Sequence, residues 1–192
     1  MKSLGSNDLV DRRRNVYLPK RCLGHTPTPP MRADRKTLFA RLKALGIETV
    51  TVEHAPVFTV AQSGVLREML PGAHTKSLVV VDKDGRMVLV VAKDDTRVDL
   101  KALAKHLGLG RLSFARPELL EAVLGVPGGS VTPFALINES AADVTVVVDK
   151  ALMDFSEVNC HPLENTATTR LATPELLRFI AASGHEPRVL AL

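Results

Sequence analysis

The stretch Gly128-Gly129-Ser130-Val131-Thr132-Pro133-Phe134-Ala135-Leu136-Ile137-Asn138 combines two glycines, two hydroxyl residues and a proline with an apolar run. Glycine lets the backbone take positive φ and brings N–H groups close to a ligand with no Cβ in the way. Successive amides in such a turn form a concave, anion-binding nest, which suits a reaction that develops an oxyanion. Local pattern alone fits equally a tight loop feeding an apolar strand. Two other stretches accompany it: Thr75-Lys76-Ser77 upstream, and Cys160-His161-Pro162-Leu163-Glu164-Asn165-Thr166-Ala167-Thr168-Thr169 downstream.

Several chemistries are set aside by spacing. Ser130 stands between Gly128 and Thr132, so no Gly-x-Ser-x-Gly nucleophile elbow exists. A phosphate-binding Gly-Lys-Ser/Thr loop is missing too. Cys22-x-x-His25 with Cys160-His161 offers four zinc-ligating side chains, but adjacent Cys-His is poor ligand spacing, and no metal is expected. As a nucleophile and base, Cys160 and His161 point to opposite faces of a strand, the wrong geometry for a hydrogen-bonded dyad. Cys160 reads as a small core residue. Taken singly, Lys76 is a solvated charge where a strand begins, His161 before a proline holds a loop, and Asn165 and Thr168 are surface polar residues. Only the combination is specific.

The elements that must position these residues follow from periodicity. Leu38, Phe39, Leu42 and Leu45 recur at helical spacing after Asp34, with Gly46 as the stop. Strands are expected over 49–53, 78–81 and 87–91, the last two joined by the hairpin turn Asp82-Lys83-Asp84-Gly85. That turn resembles a calcium loop, but its glycine falls at the fourth position where such a loop needs it at the sixth. A helix is expected over 60–70, ended by Pro71-Gly72. Asp99 is the N-cap of a helix over 100–107 closed by Gly108, and Pro117 the first residue of another reaching Leu124. Strands follow over 111–114, 144–148, 157–160 and 166–171, then a helix capped by Thr173 and stopped at Gly184. About seven strands and about five helices, interleaved irregularly, predict an α/β domain with a mixed sheet that is not doubly wound.

At 192 residues, 45% apolar and 24% charged, the chain has the make-up of one globular domain with a full core. Its net charge of +4 lies entirely in residues 1–31, where six Lys/Arg face only Asp8 and Asp11. This Pro-rich, unpatterned stretch is expected to be a disordered extension, with 32–192 as the folded domain. Any nucleic-acid contact by the folded part therefore depends on a local patch and not on a global field. Two cysteines give no disulfide framework, and no apolar run approaches the roughly 18 residues of a membrane helix. A cytoplasmic protein without membrane attachment is the expectation.

The combined motifs resemble the YbaK/prolyl-tRNA-synthetase-associated editing superfamily, and within it the Ala-tRNA(Pro) deacylase branch, ProXp-ala, over about residues 35–187. They are His54-Ala55-Pro56-Val57-Phe58-Thr59, Thr75-Lys76-Ser77-Leu78, Leu112-Ser113-Phe114, Gly129-Ser130-Val131-Thr132-Pro133-Phe134 and His161-Pro162-Leu163-x-Asn165-x-x-Thr168. The resemblance implies a mixed, largely antiparallel curved sheet, no cofactor or metal, and hydrolysis of a mischarged aminoacyl ester on the 3′ end of tRNA(Pro). It also implies a monomer that could work beside prolyl-tRNA synthetase. In the catalytic role it places Lys76 with the Gly129 and Ser130 backbone; around the substrate it places Thr75, Ser77, Val131, Thr132, Pro133, Phe134, His161, Asn165 and Thr168. His161 would shape a small amino-acid pocket. Two positions depart from the family pattern: Ser77 stands where asparagine is usual, and Phe134-Ala135 replaces Phe-Gly. Removal of another amino acid, such as Cys-tRNA(Pro) hydrolysis, and a non-catalytic tRNA- or synthetase-binding module are the competing readings.

Overall fold

A computed structural model of the chain describes residues 32–55 and 70–192. The expectations for residues 1–31, for Pro56 to Thr59 and for the helix from Val60 lie outside the described residues.

The strand β3 (Met87–Lys93) shows why the sheet has two cores. Its run Val88-Leu89-Val90-Val91-Ala92 is fully buried, as an apolar strand covered on both faces should be. Met87, Leu89 and Val91 face a large core, and Val88, Val90 and Ala92 a smaller one, following the two-residue alternation of strand side chains. On the large-core face pack α1 (Arg35–Ala44), α3 (Pro117–Leu124) and α4 (Thr173–Ala182); the smaller core is closed by α2 (Leu100–Leu107).

Helix ends follow local chemistry. Asp34 caps α1 by accepting from the Thr37 amide at 2.7 Å. Asp99 caps α2 by accepting from the Lys101 and Ala102 amides at 2.8 and 3.1 Å, and Gly108 closes it at φ 65°. Pro117 occupies the first turn of α3. Thr173 is not the cap of α4 as expected. It is the first helical residue, and its hydroxyl donates to the Phe155 carbonyl at 2.6 Å.

Eight strands form one mixed sheet in the order β1 (Val50–Glu53), β7 (Ala167–Ala172), β6 (Glu157–Cys160), β2 (Ala73–Val81), β3, β5 (Thr145–Asp149), β8 (Arg188–Leu190), with β4 (Ser113–Phe114) also paired to β2. Four pairings are antiparallel (β1–β7, β2–β3, β2–β4, β6–β7) and three parallel (β2–β6, β3–β5, β5–β8). Three sequence expectations change. β2 begins at Ala73 rather than Leu78, because polar strand residues with half-exposed side chains carry no apolar signature. β8, three residues long, was not expected. The apolar run after the glycine loop is not a strand but a 3₁₀ helix, Pro133–Ile137, started by the Thr132 hydroxyl, which accepts from the Phe134 amide at 3.3 Å. Among the described residues no helix is long and apolar enough to cross a membrane.

Candidate functional site

Lys76 lies inside β2, opposite Ala92 of β3, so its side chain stands on the smaller-core face. Its ammonium donates to the Asp94 carbonyl at 2.9 Å and to the Thr96 carbonyl. These carbonyls belong to a turn fixed at several points. The Asp94 amide donates to His74 O at 2.9 Å, and the Thr96 amide to Lys93 O at 3.0 Å. The Thr96 hydroxyl donates to Asp149 Oδ2 at 2.5 Å, and the Lys93 amide to the same oxygen at 3.2 Å. No carboxylate pairs with Lys76 among the described residues. An ammonium carries three protons, so among the described residues one has no acceptor.

Ser77 and Thr75 stand on the opposite face of β2. Ser77 is in register with Val91 of the large core. Thr75 Oγ1 donates to the Asn159 carbonyl at 2.8 Å and lies 3.3 Å from Cys160 Sγ. On the edge away from β3, β2 pairs with β6 only at Ala73 and His74, and with β4 only at Val80 and Val81. Between them, no described strand pairs with Thr75 to Leu78. Val79 O accepts from Ala115 N at 2.9 Å on that edge. By strand alternation the Ser77 backbone N–H and C=O face the same gap.

His161, just past β6, is half-buried, and its Nδ1 lies 3.1 Å from the Ala167 carbonyl. Burial lowers its pKa below the ordinary 6.5 against the opposing pull of that carbonyl, and nearby His54 and His74 push it the same way as burial. The imidazole is thus neutral at pH 7 and presents a shaped, uncharged wall. His54 sits 6.4 Å from it, ring to ring, and bonds through Nε2 to the buried Thr168 hydroxyl at 2.9 Å. These three histidines do not form a metal-binding group; among the described residues no cluster of three or more His, Cys, Asp or Glu side chains does. Cys160 is fully buried, which pushes its thiol up to about 12 against the Thr75 hydrogen bond, so it carries no thiolate at neutral pH.

The glycine loop is anchored on the large core. Gly129 takes φ 86°, and a Cβ added there would meet nothing within 4 Å. The Ser130 amide donates to Pro127 O at 3.1 Å, closing a turn. Val131 packs against the large core, Ser130 and Thr132 are buried, and Pro133 begins the 3₁₀ helix. Phe134 meets Phe179 edge to face at 5.2 Å.

His161, His54 and Thr168 are therefore brought together, and the register places Lys76 on the same face as Thr168. The loop 128–134 sits with the opposite core. Among the described residues no hydrogen bond joins that loop to Lys76, His161 or Thr168, and Asn165 makes no side-chain hydrogen bond. Its loop is instead held by Arg35, which donates to Glu164 Oε1 at 2.9 Å and also pairs with Glu53. The 94–96 turn, Asp149 and His54 are not among the expected site residues. For His54 the motif was available, whereas nothing in the local sequence ties Asp149 to Lys76.

Comparison with known proteins gives a consistent picture. The family model described as the aminoacyl-tRNA editing domain matches residues 54–179. The chain is 38% identical over 159 residues to prolyl-tRNA synthetase associated domain-containing protein 1 of Danio rerio, spanning 82% of this chain and 86% of that protein. It is 34% identical over 159 residues to the prolyl-tRNA editing protein ProX of Acetoanaerobium sticklandii, spanning 82% and 97%. The multifunctional Ser/Thr-tRNA deacylase ProXp-y of Escherichia coli is 28% identical, over 74% of this chain and 90% of its own. In fold, a solved structure described as a candidate trans-editing enzyme for prolyl tRNA synthetase superposes with a TM-score of 0.66 at 24% identity, covering 82% of this chain and 96% of that one.

Proposed function

The chain belongs to the aminoacyl-tRNA editing domain family, and from that premise we propose that it is a free-standing deacylase that hydrolyses mischarged Ala-tRNA(Pro). The observation that carries the chemistry is the Lys76 ammonium, oriented by two carbonyls, unpaired with any described carboxylate and with one proton that no described residue accepts.

A synthetase pocket built for proline cannot fully exclude alanine, because lost apolar contact is worth only about 1–3 kcal/mol. A second, smaller pocket completes the discrimination by admitting alanine and rejecting proline. The neutral His161 beside His54 supports such an uncharged, sterically defined pocket. An aminoacyl ester is already activated, so hydrolysis needs a positioned water and donors for the tetrahedral oxyanion. In this reading water attacks with help from the substrate's ribose hydroxyl, and Lys76 stabilises the developing charge or anchors a phosphate. Of the two loop amides, Ser130's is held by Pro127 and Gly129's has no described acceptor, which favours Gly129 as the oxyanion donor. The edge of β2 over Thr75–Leu78 that faces away from β3, with which no described strand pairs, is where a substrate could reach groups on both faces. Thr75, Ser77, Val131, Thr132, Pro133, Phe134, Asn165 and Thr168 would complete its surroundings.

A different amino-acid preference is the second reading. It is favoured by Ser77, where the family usually has asparagine, and by the activity named for the E. coli relative. The test is deacylation of Ala-, Cys- and Ser-tRNA(Pro) together with Ser- and Thr-charged cognate tRNAs, with Pro-tRNA(Pro) as the species that must survive. Selective loss of alanine supports the proposal. Loss of another amino acid moves the specificity, and no hydrolysis of any favours a binding module instead.

A further inference from the structure

Asp149 is 2% exposed, yet none of its polar contacts among the described residues is with a cation. Its carboxylate instead collects three donors: the Ala151 amide at 3.0 Å on Oδ1, and the Lys93 amide and Thr96 hydroxyl on Oδ2. A buried carboxylate is costly unless its oxygens are satisfied, and these donors satisfy it from two directions. The Ala151 bond fixes the end of β5; the other two fix the end of β3 and the turn that follows.

That turn is the one whose carbonyls hold Lys76. The Thr96 residue is bound twice, through its hydroxyl to Asp149 and through its carbonyl to the Lys76 ammonium. Rotating Thr96 away from Asp149 would carry its carbonyl away from Lys76. The Asp94 carbonyl alone would then leave the ammonium a single anchor on a long, rotatable stem. We propose that Asp149, acting through the Thr96 hydroxyl, is a positioning residue for Lys76. The inference rests on the deacylase reading for its kinetic consequence, though not for its geometric one.

The decisive variant is Thr96→Val, which keeps shape and backbone carbonyl and removes only the hydroxyl; Thr96→Ser restores it. Each is assayed for kcat and KM on the best tRNA substrate, for thermal melting, and by lysine-selective NMR of the Lys76 side chain, assigned with Lys76→Met. The expected result is a fall of about tenfold in kcat for Thr96→Val, the size of one lost hydrogen bond. KM stays within about twofold, the Lys76 resonance moves, and Thr96→Ser is close to wild type in all three. Asp149→Asn, which leaves an amide group facing one set of donors, lowers kcat in the same way. An unshifted Lys76 resonance with wild-type kcat in Thr96→Val overturns the proposal, as does a Thr96→Ser variant as impaired as Thr96→Val. If the wild-type protein deacylates nothing, the functional reading fails, and the NMR comparison alone decides: a shift in Thr96→Val but not in Thr96→Ser sustains the positioning link, and its absence removes it.

Discussion

Replacing Lys76 by methionine separates what the ammonium does from what its stem does. The stem lies along the face of β2 and is kept; three N–H donors are lost, two of them engaged by Asp94 O and Thr96 O. A hydrogen bond from a charged group to a neutral acceptor nets about 1.5–3 kcal/mol when buried. Lys76 is half-exposed, so water screens the pair and takes over much of the carbonyls' solvation. The two bonds together then contribute about 1–2 kcal/mol, a fall of a few degrees in melting temperature for a chain of this size. That leaves the protein folded, since domains hold about 5–15 kcal/mol. The third proton acts only if it meets charge in the transition state, where removing one preorganised donor costs roughly 10²- to 10³-fold in kcat, about 3–4 kcal/mol. Single-turnover deacylation at saturating mischarged tRNA, beside a thermal melt, reads both quantities. A kcat within about threefold of wild type, with the expected small drop in melting temperature, would refute a role for Lys76 in the transition state. A raised KM with unchanged kcat would instead make it a ground-state anchor for phosphate.

Three further outcomes follow from the same geometry. Phe134→Ala, which empties a fully buried site against Phe179, should cost about 3–5 kcal/mol in urea unfolding and loosen the glycine loop with it; a cost under 1 kcal/mol would mean that the loop is held elsewhere. Burial holds His161 and His185 below the ordinary 6.5, so the unfolded chain takes up protons that the folded one refuses. Their contribution is therefore present above pH 6.5 and is lost as pH falls below it, and the urea midpoint should drop between pH 7.5 and 5.5 by less in His161→Gln than in wild type. Cys160, with its thiol pushed up to about 12, should resist iodoacetamide at pH 8 in the native protein and react only after denaturation, as read by peptide mass spectrometry.

Element by element, the sequence spoke clearly where one local rule dominated. Asp99 and Gly108 bound α2 because a side-chain acceptor and a left-handed residue each satisfy orphan backbone groups at fixed offsets. The Asp82–Gly85 turn is equally local: Asp82 Oδ1 accepts from the Asp84 and Arg86 amides, and Gly85 takes φ 80°. β2 was half legible. Leu78 to Val81 declare a strand by apolarity, whereas His74 to Ser77 are strand only because β3 lies alongside. The run Pro133 to Ile137 was misread for the converse reason. Apolar content records burial and cannot tell a strand from a short 3₁₀ turn, and here Thr132 and Pro133 chose the turn.

The site divides along the same line. Motif composition points to Lys76, His161 and the glycine loop, and gives Lys76 a catalytic and Ser77 a substrate-side role without saying how the two adjacent side chains are disposed. In a strand adjacency means opposite faces, and the register bears this out: Ala92 opposite Lys76 belongs to the small core, Val91 opposite Ser77 to the large one. Whatever the Ser77 position contributes, it contributes from the other side of the sheet or through its backbone at the edge with which no described strand pairs. The Asn-to-Ser departure therefore bears on the ligand half that approaches the large-core face, and leaves the Lys76 ammonium untouched. A Ser77→Asn variant should accordingly alter which mischarged tRNA is preferred, read as a ratio of kcat/KM values across the panel, while the Lys76 resonance stays where it is. A change in that resonance with no change in preference would show that the two faces are coupled through β2 and do not act separately.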